Sequence, residues 1–226
     1  SFVDRLLFAQ YETLGIPPSP VCDDRTFIRR ATIDVTGRLP TPAEVTAFTD
    51  DSSSDKDANL IERLLADDGY ADYFALKWSS VLRNRRTTAS QNPKPTAAFH
   101  KWIRDGLKQN KPYDQFVRNV LTAAGNFNNT PPVVWYREAN EMSVQLEDTS
   151  QLFLGQRLQC ARCHHHPQEK WSEADYYGMA AFFSQVEVST KNEVTVSVKA
   201  GKWEALAPKA DKTIPPTPLE QKTISG

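Results

Sequence analysis

The sequence predicts a mainly α-helical single domain with a small β-hairpin near its C-terminus. Three observations lead there. Over the first two-thirds of the 226 residues, apolar side chains recur three and four apart, the spacing of one helix face. Capping and stop signals punctuate those stretches. After Gln185 the pattern changes to apolar–polar alternation, the period of a strand.

The elements follow in chain order. Phe2 to Leu14 carries Val3, Leu6, Leu7, Tyr11 and Leu14 at helical spacing, and the loop Gly15-Ile16-Pro17-Pro18-Ser19-Pro20 stops it because proline lacks the N–H donor and clashes with the preceding turn. Asp24 can cap a second helix through Phe27, Ile28, Ala31 and Val35, ended by Gly37. Thr41-Pro42-Ala43-Glu44 is a capping box with proline at the first helical position, opening a short helix through Val45 and Phe48. Leu60, Ile61, Leu64 and Leu65 mark a helix over 58–66, and Tyr73, Phe74, Leu76, Trp78, Val81 and Leu82 mark another over 70–82. The polar stretch Arg83 to Pro95 reads as a mobile loop. Phe99, Trp102, Ile103 and Leu107 define the next helix, and Phe116, Val117, Val120 and Leu121 the one after it. Gly125 to Pro132, rich in Asn and Pro, reads as a loop. A helix from about Leu146 is expected to run into the pair Cys160 and Cys163, and Ser172 starts another through Tyr176, Tyr177, Met179, Phe182 and Phe183.

Val186-Glu187-Val188 and Val194-Thr195-Val196-Ser197-Val198, separated by a turn at 190–193, give the hairpin signal. The expected organisation is a helical domain over 1–186, then hairpin and proline-rich tail over 187–226, leading toward a downstream domain. Trp78, Trp102, Phe116, Phe153 and Phe182 are the expected core.

Charge and composition narrow the function classes. With 27 basic and 28 acidic residues the formal net charge is -1, so nothing calls for nucleic acid as a partner. No apolar run approaches the ~18 residues of a membrane helix. Three cysteines are too few, and odd in number, for a disulfide scaffold. Cys22 stands alone and reads as a small semi-buried residue. No Ser-His-Asp set, phosphate loop or carboxylate pair is visible.

The segment that carries chemistry is Cys160-Ala161-Arg162-Cys163-His164. In c-type haem attachment two thiols add across the porphyrin vinyl groups and the following His ligates the iron. On one helical turn, residues at i, i+3 and i+4 share a face, which suits that task. Two other readings stay open. Cys160 and Cys163 with two of His164, His165 and His166 could hold zinc, although structural zinc sites separate their ligand pairs by a longer stretch. A thiol redox pair is the other, although the βαβ context of thioredoxin-like motifs is absent.

The wider text is similar to a known family. Cys160-x-x-Cys163-His164-x-His166-Pro167, then Lys170-Trp171 and Asp175-Tyr176-Tyr177-Gly178-x-Ala180-Ala181-Phe182-Phe183, resembles the planctomycete-type cytochrome c-like domain family. Upstream, Arg25-x-Phe27-Ile28-Arg29-Arg30-Ala31-Thr32-Ile33-Asp34-Val35-Thr36-Gly37, Leu39-Pro40-Thr41-Pro42-Ala43-Glu44-Val45, Asn110 to Val117 and Leu152 to Gly155 look like its other blocks. The resemblance covers about residues 2–186. Gln168-Glu169 departs from it, and the alternating tail finds no match in it. It implies an exported, periplasmic or cell-envelope compartment, where c-type haem is attached.

These readings set the expectation: one covalent haem c per chain, held by Cys160 and Cys163 with His164 as axial iron ligand, zinc being the alternative cofactor. Met179, with its thioether, and His100, the one histidine outside the cluster, are candidates for the second axial position. His166 is an accessory candidate that could equally close the loop before Pro167. The expected function is one-electron transfer to a redox partner protein or a downstream domain of the same polypeptide. A metal-stapled interaction module without redox role is the alternative.

Overall fold

The computed structural model describes residues 1–190, 193–209 and 211–219. It is mainly helical with small antiparallel sheets, and the chain divides into two compact units, Ser1–Tyr70 and a second beginning at Ala71.

The first unit holds α1 (Phe2–Leu14), α2 (Asp24–Thr36), α3 (Pro42–Asp50) and α4 (Lys56–Ala66). Asp23, one residue before the expected cap, accepts from the Thr26 N–H at 2.7 Å. Gly37 ends α2 in the left-handed region at φ 72°. The Thr41–Glu44 capping box forms as its sequence requires. α2 packs against α3 and α4, burying Ile28, Ala31, Phe48, Leu60 and Leu64, with Phe27 stacked on Phe48. α1 buries none of its residues.

The second unit begins within α5 (Asp68–Val81) and continues through α6 (Lys94–Lys108) and α7 (Tyr113–Leu121). α6 starts inside the stretch expected to be loop. Part of the expected loop at 125–132 is also structured: Gly125–Asn126 forms β1, and Pro131–Arg137 forms a 3-10 helix. That 3-10 helix buries Val133, Val134, Trp135 and Tyr136 and supplies much of a core shared with Phe99, Ile103, Phe116 and Val120. Trp78 and Trp102 flank this core partly buried, each with its ring centred about 5 Å from that of Phe116 (5.2 and 5.1 Å).

A second core of this unit forms around α8 (Met142–Phe153) and α9 (Glu173–Ala180) and contains Leu146, Leu158, Ala161, Trp171, Tyr176, Tyr177 and Phe183. Two expectations need correction here. α8 does not reach the cysteine pair: it stops at Phe153, and Gly155 in the left-handed region at φ 65° turns the chain away. The cysteines lie instead on a separate 3-10 turn, Gln159–Arg162. Phe182 is 44% exposed and Phe183 takes the core position. α9 gives way to a 3-10 turn at Ala181, and the change from 3.6 to 3.0 residues per turn rotates which aromatic faces inward.

The hairpin forms as expected: β2 (Val186–Ser189) and β3 (Thr195–Val198) pair antiparallel with Val188 opposite Val196, and β1 joins the other edge of β3. Of its expected turn, Lys191 and Asn192 lie outside the described residues. In the expected tail, β4 (Ala205–Ala207) and β5 (Lys212–Ile214) make a second small antiparallel pair; residues 210 and 220–226 lie outside the described residues.

Candidate functional site

Cys160 sits in the 3-10 turn and Cys163 immediately caps it. The two cysteines thus stand at the start and just past the end of one short turn, and both are exposed. What holds the turn down is the intervening Ala161, fully buried, with Leu158 buried just upstream. The N–H groups of Cys163 and His164 both donate to the Cys160 carbonyl at 3.3 Å. The remaining intervening residue, Arg162, faces Tyr176, Glu147 and Tyr177. Tyr176 donates its hydroxyl proton to Glu147 Oε1 at 2.9 Å, and burial, reinforced by Glu147, pushes its phenol above the ordinary range.

His164 is exposed, and its Nδ1 lies 2.7 Å from the His165 carbonyl oxygen. A carbonyl only accepts, so Nδ1 carries the proton in this contact, and in the neutral ring that leaves the lone pair on Nε2. That is the arrangement of a metal-ligating histidine, whose second nitrogen donates to a carbonyl or carboxylate. By type and exposure these residues fit what a thioether-linked haem would need: two free, exposed cysteines on one turn, followed directly by a histidine whose Nδ1 is hydrogen-bonded.

The neighbouring histidine is differently engaged. His166 Nδ1 accepts from the backbone N–H groups of Gln168 at 3.3 Å and Glu169 at 3.0 Å, and the His166 backbone N–H donates to the Trp171 carbonyl at 2.9 Å. Trp171 in turn donates its indole N–H to Gln156 Oε1 at 3.0 Å. This lattice of bonds closes the loop between the turn and α9. Among the described residues no group of three or more His, Cys, Asp and Glu side chains is gathered so as to hold a metal ion, and the four ligands of the zinc reading are thus not assembled into one cluster.

The two candidates for a second axial ligand fall in different places. Met179 is half-buried against the same core as Ala161, and Met142 packs there too. His100 lies on α6, where its Nδ1 is 3.0 Å from Ser79 Oγ on α5. The structure also adds two residues that the sequence had not singled out. Lys209, from the segment between β4 and β5, donates through Nζ to the Cys163 carbonyl, and Thr217 donates its N–H to the Gly178 carbonyl at 3.0 Å. The one signal that pointed there was a glycine within an apolar helix.

Comparison with known proteins gives one result. A family model described as PSCyt2, protein of unknown function (DUF1549), matches residues 2–188. No curated protein and no solved structure matches the chain significantly.

Proposed function

The chain belongs to the PSCyt2 (DUF1549) family, and on that premise we propose that it is a c-type haem-binding domain for one-electron transfer in an exported or cell-envelope protein. The observation that carries this reading is the His164 ring: its Nδ1 is committed to a backbone carbonyl, leaving Nε2 available beside two exposed thiols on one turn. Cys160 and Cys163 would hold the group covalently and His164 would ligate its iron. When bound, haem c supplies a one-electron couple whose potential depends on axial ligand and burial.

The chain's own residues do the rest. Ala161 and Leu158 seat the turn on the second core, while the exposed Arg162 interacts with Tyr176, Glu147 and Tyr177. Met179 is the better candidate for a second axial ligand, since it shares that core and His100 is engaged by Ser79 elsewhere. The electron's destination is a partner protein or a further domain of the same polypeptide.

The test is spectroscopic. The chain is expressed with a signal peptide in a host that matures c-type haem, and its pyridine haemochrome is recorded. A haemochrome typical of thioether linkage, with colour that survives acid-acetone extraction and a reversible one-electron couple, supports the reading. A colourless protein sinks it, and one equivalent of zinc in that protein would point to the metal-stapled module instead.

A further inference from the structure

Glycine in a helix is unfavourable relative to alanine, yet α9 carries Gly178 in its last turn, buried. The reason lies in the C-terminal segment. A Cβ added at Gly178 would come within 2.9 Å of Thr217 Cβ and 3.3 Å of the Thr217 carbonyl oxygen. The same segment is fastened at several other points. Ala205 and Ala207 of β4 are buried in the core that contains Ala161, and Leu219 packs against it. The Lys209 N–H donates to Glu173 Oε1 at 3.3 Å, and its ammonium donates to the Cys163 carbonyl.

We propose that residues 205–209 and 211–219, which lie beyond the part of the chain matched by the family, act as a strap that positions the Cys160–His164 turn, with Lys209 and Thr217 as positioning residues. The turn has little of its own to hold it. Of residues 160–164 only Ala161 is buried, and a single 3-10 turn makes poorly aligned hydrogen bonds. The carbonyl that Lys209 grips belongs to the peptide plane joining Cys163 to His164. Because that plane is rigid, fixing its oxygen also fixes the direction in which His164 leaves the turn. Thr217 anchors the far end of the strap on α9, against which the turn itself packs.

The functional weight of the strap rests on Cys160–His164 being the working site, but its docking can be tested without haem. Hydrogen exchange is measured by mass spectrometry on the full haem-free chain, comparing Lys209→Gln, Lys209→Arg and Gly178→Ala with the unaltered protein. In Lys209→Gln the amides of Cys163 and His164 are expected to exchange about tenfold faster, the loss of one charge-assisted hydrogen bond. Those of Ile103 and Val120 stay unchanged, and Lys209→Arg retains protection. Gly178→Ala gives a test of sign. A docked strap makes the added methyl lower the melting temperature and loosen 160–164, whereas an undocked one lets alanine raise it through helix propensity. Unchanged exchange in Lys209→Gln, or a stabilised Gly178→Ala, overturns the proposal. If Gly178→Ala does not fold, the two Lys209 variants decide alone. A chain that shows these changes yet takes up no haem defeats the electron-transfer reading and leaves the strap standing; a haem-loaded chain without them does the reverse.

Discussion

The helices α2–α4 and the Cys160–His164 turn are held in opposite ways. α2 and α3 carry their own caps, Asp23 with Gly37 and Thr41 with Glu44, and the interior of α2–α4 is filled by side chains one helical turn apart, Ile28 with Ala31 and Leu60 with Leu64. Arg38 adds a two-pronged bridge to Glu44, at 2.8 and 2.9 Å, next to the capping box. The turn, by contrast, exposes four of its five residues and is held mainly against segments further along the chain: Leu158 and Ala161 share a core with α9, and Lys209 reaches back from the strap. Local structure makes a rigid support, whereas a reactive turn has to stay open on one side and so borrows its rigidity from elsewhere.

The largest test of that contrast is to remove the turn's chemistry. Replacing both Cys160 and Cys163 by Ala is expected to abolish acid-stable haem completely. The melt of the first unit should stay within about 0.5 kcal/mol, the ordinary range for exposed substitutions. A coupled loss of α2–α4 would break the comparison. Next in size, Leu64→Ala, at a position 1% exposed, should cost about 3 kcal/mol in denaturant unfolding of the first unit without lowering haem incorporation per folded chain.

The smallest effect is on pH, and it sharpens the contrast by sign. The Arg38 guanidinium, helped by the Thr41 N–H, lowers the Glu44 carboxyl from 4.5 to about 2. Its folded-state pKa lies below the unfolded value, so its contribution is complete above pH 4.5 and is lost as pH falls toward 2. Discounted for the partly exposed Arg38, about 1 kcal/mol is expected to disappear over that window in an acid titration, and not in Glu44→Gln. In the second unit burial raises the phenols of Tyr136 and Tyr176. A raised phenol stabilises the fold below its unfolded pKa of 10.0 and loses that contribution as pH climbs through the folded one. The second unit should therefore weaken in alkali, and Tyr136→Phe should shrink the alkaline loss when unfolding is followed by tyrosine absorbance.

What the sequence made legible follows the same division. Both ends of α2 and the start of α3 could be read to within a residue because Asp23, Gly37, Thr41 and Glu44 act on their immediate neighbours. The pairing of β2 with β3 was equally visible, since alternation is a local pattern. Pro131–Arg137 was not: Thr130-Pro131-Pro132 reads as a loop, and only the surrounding helices reveal that Val133 to Tyr136 are buried. Phe182 and Phe183 cannot be told apart before the change of helix type at Ala181 is known. At the candidate site Cys160, Cys163 and His164 stood out from spacing alone, while the break at Gly155 and the reach of Lys209 are tertiary facts that no short window contains.

Gly178 makes that last kind of fact visible to comparison. It and Thr217 contend for one small volume, so the two positions cannot vary independently. In relatives whose tail lies as it does here, position 178 should stay glycine whenever 217 carries a branched side chain. Where the tail is lost or rerouted, selection against a side chain at 178 lapses and alanine becomes the favoured residue. A column of glycines or alanines would then report, family member by family member, which chains carry the strap.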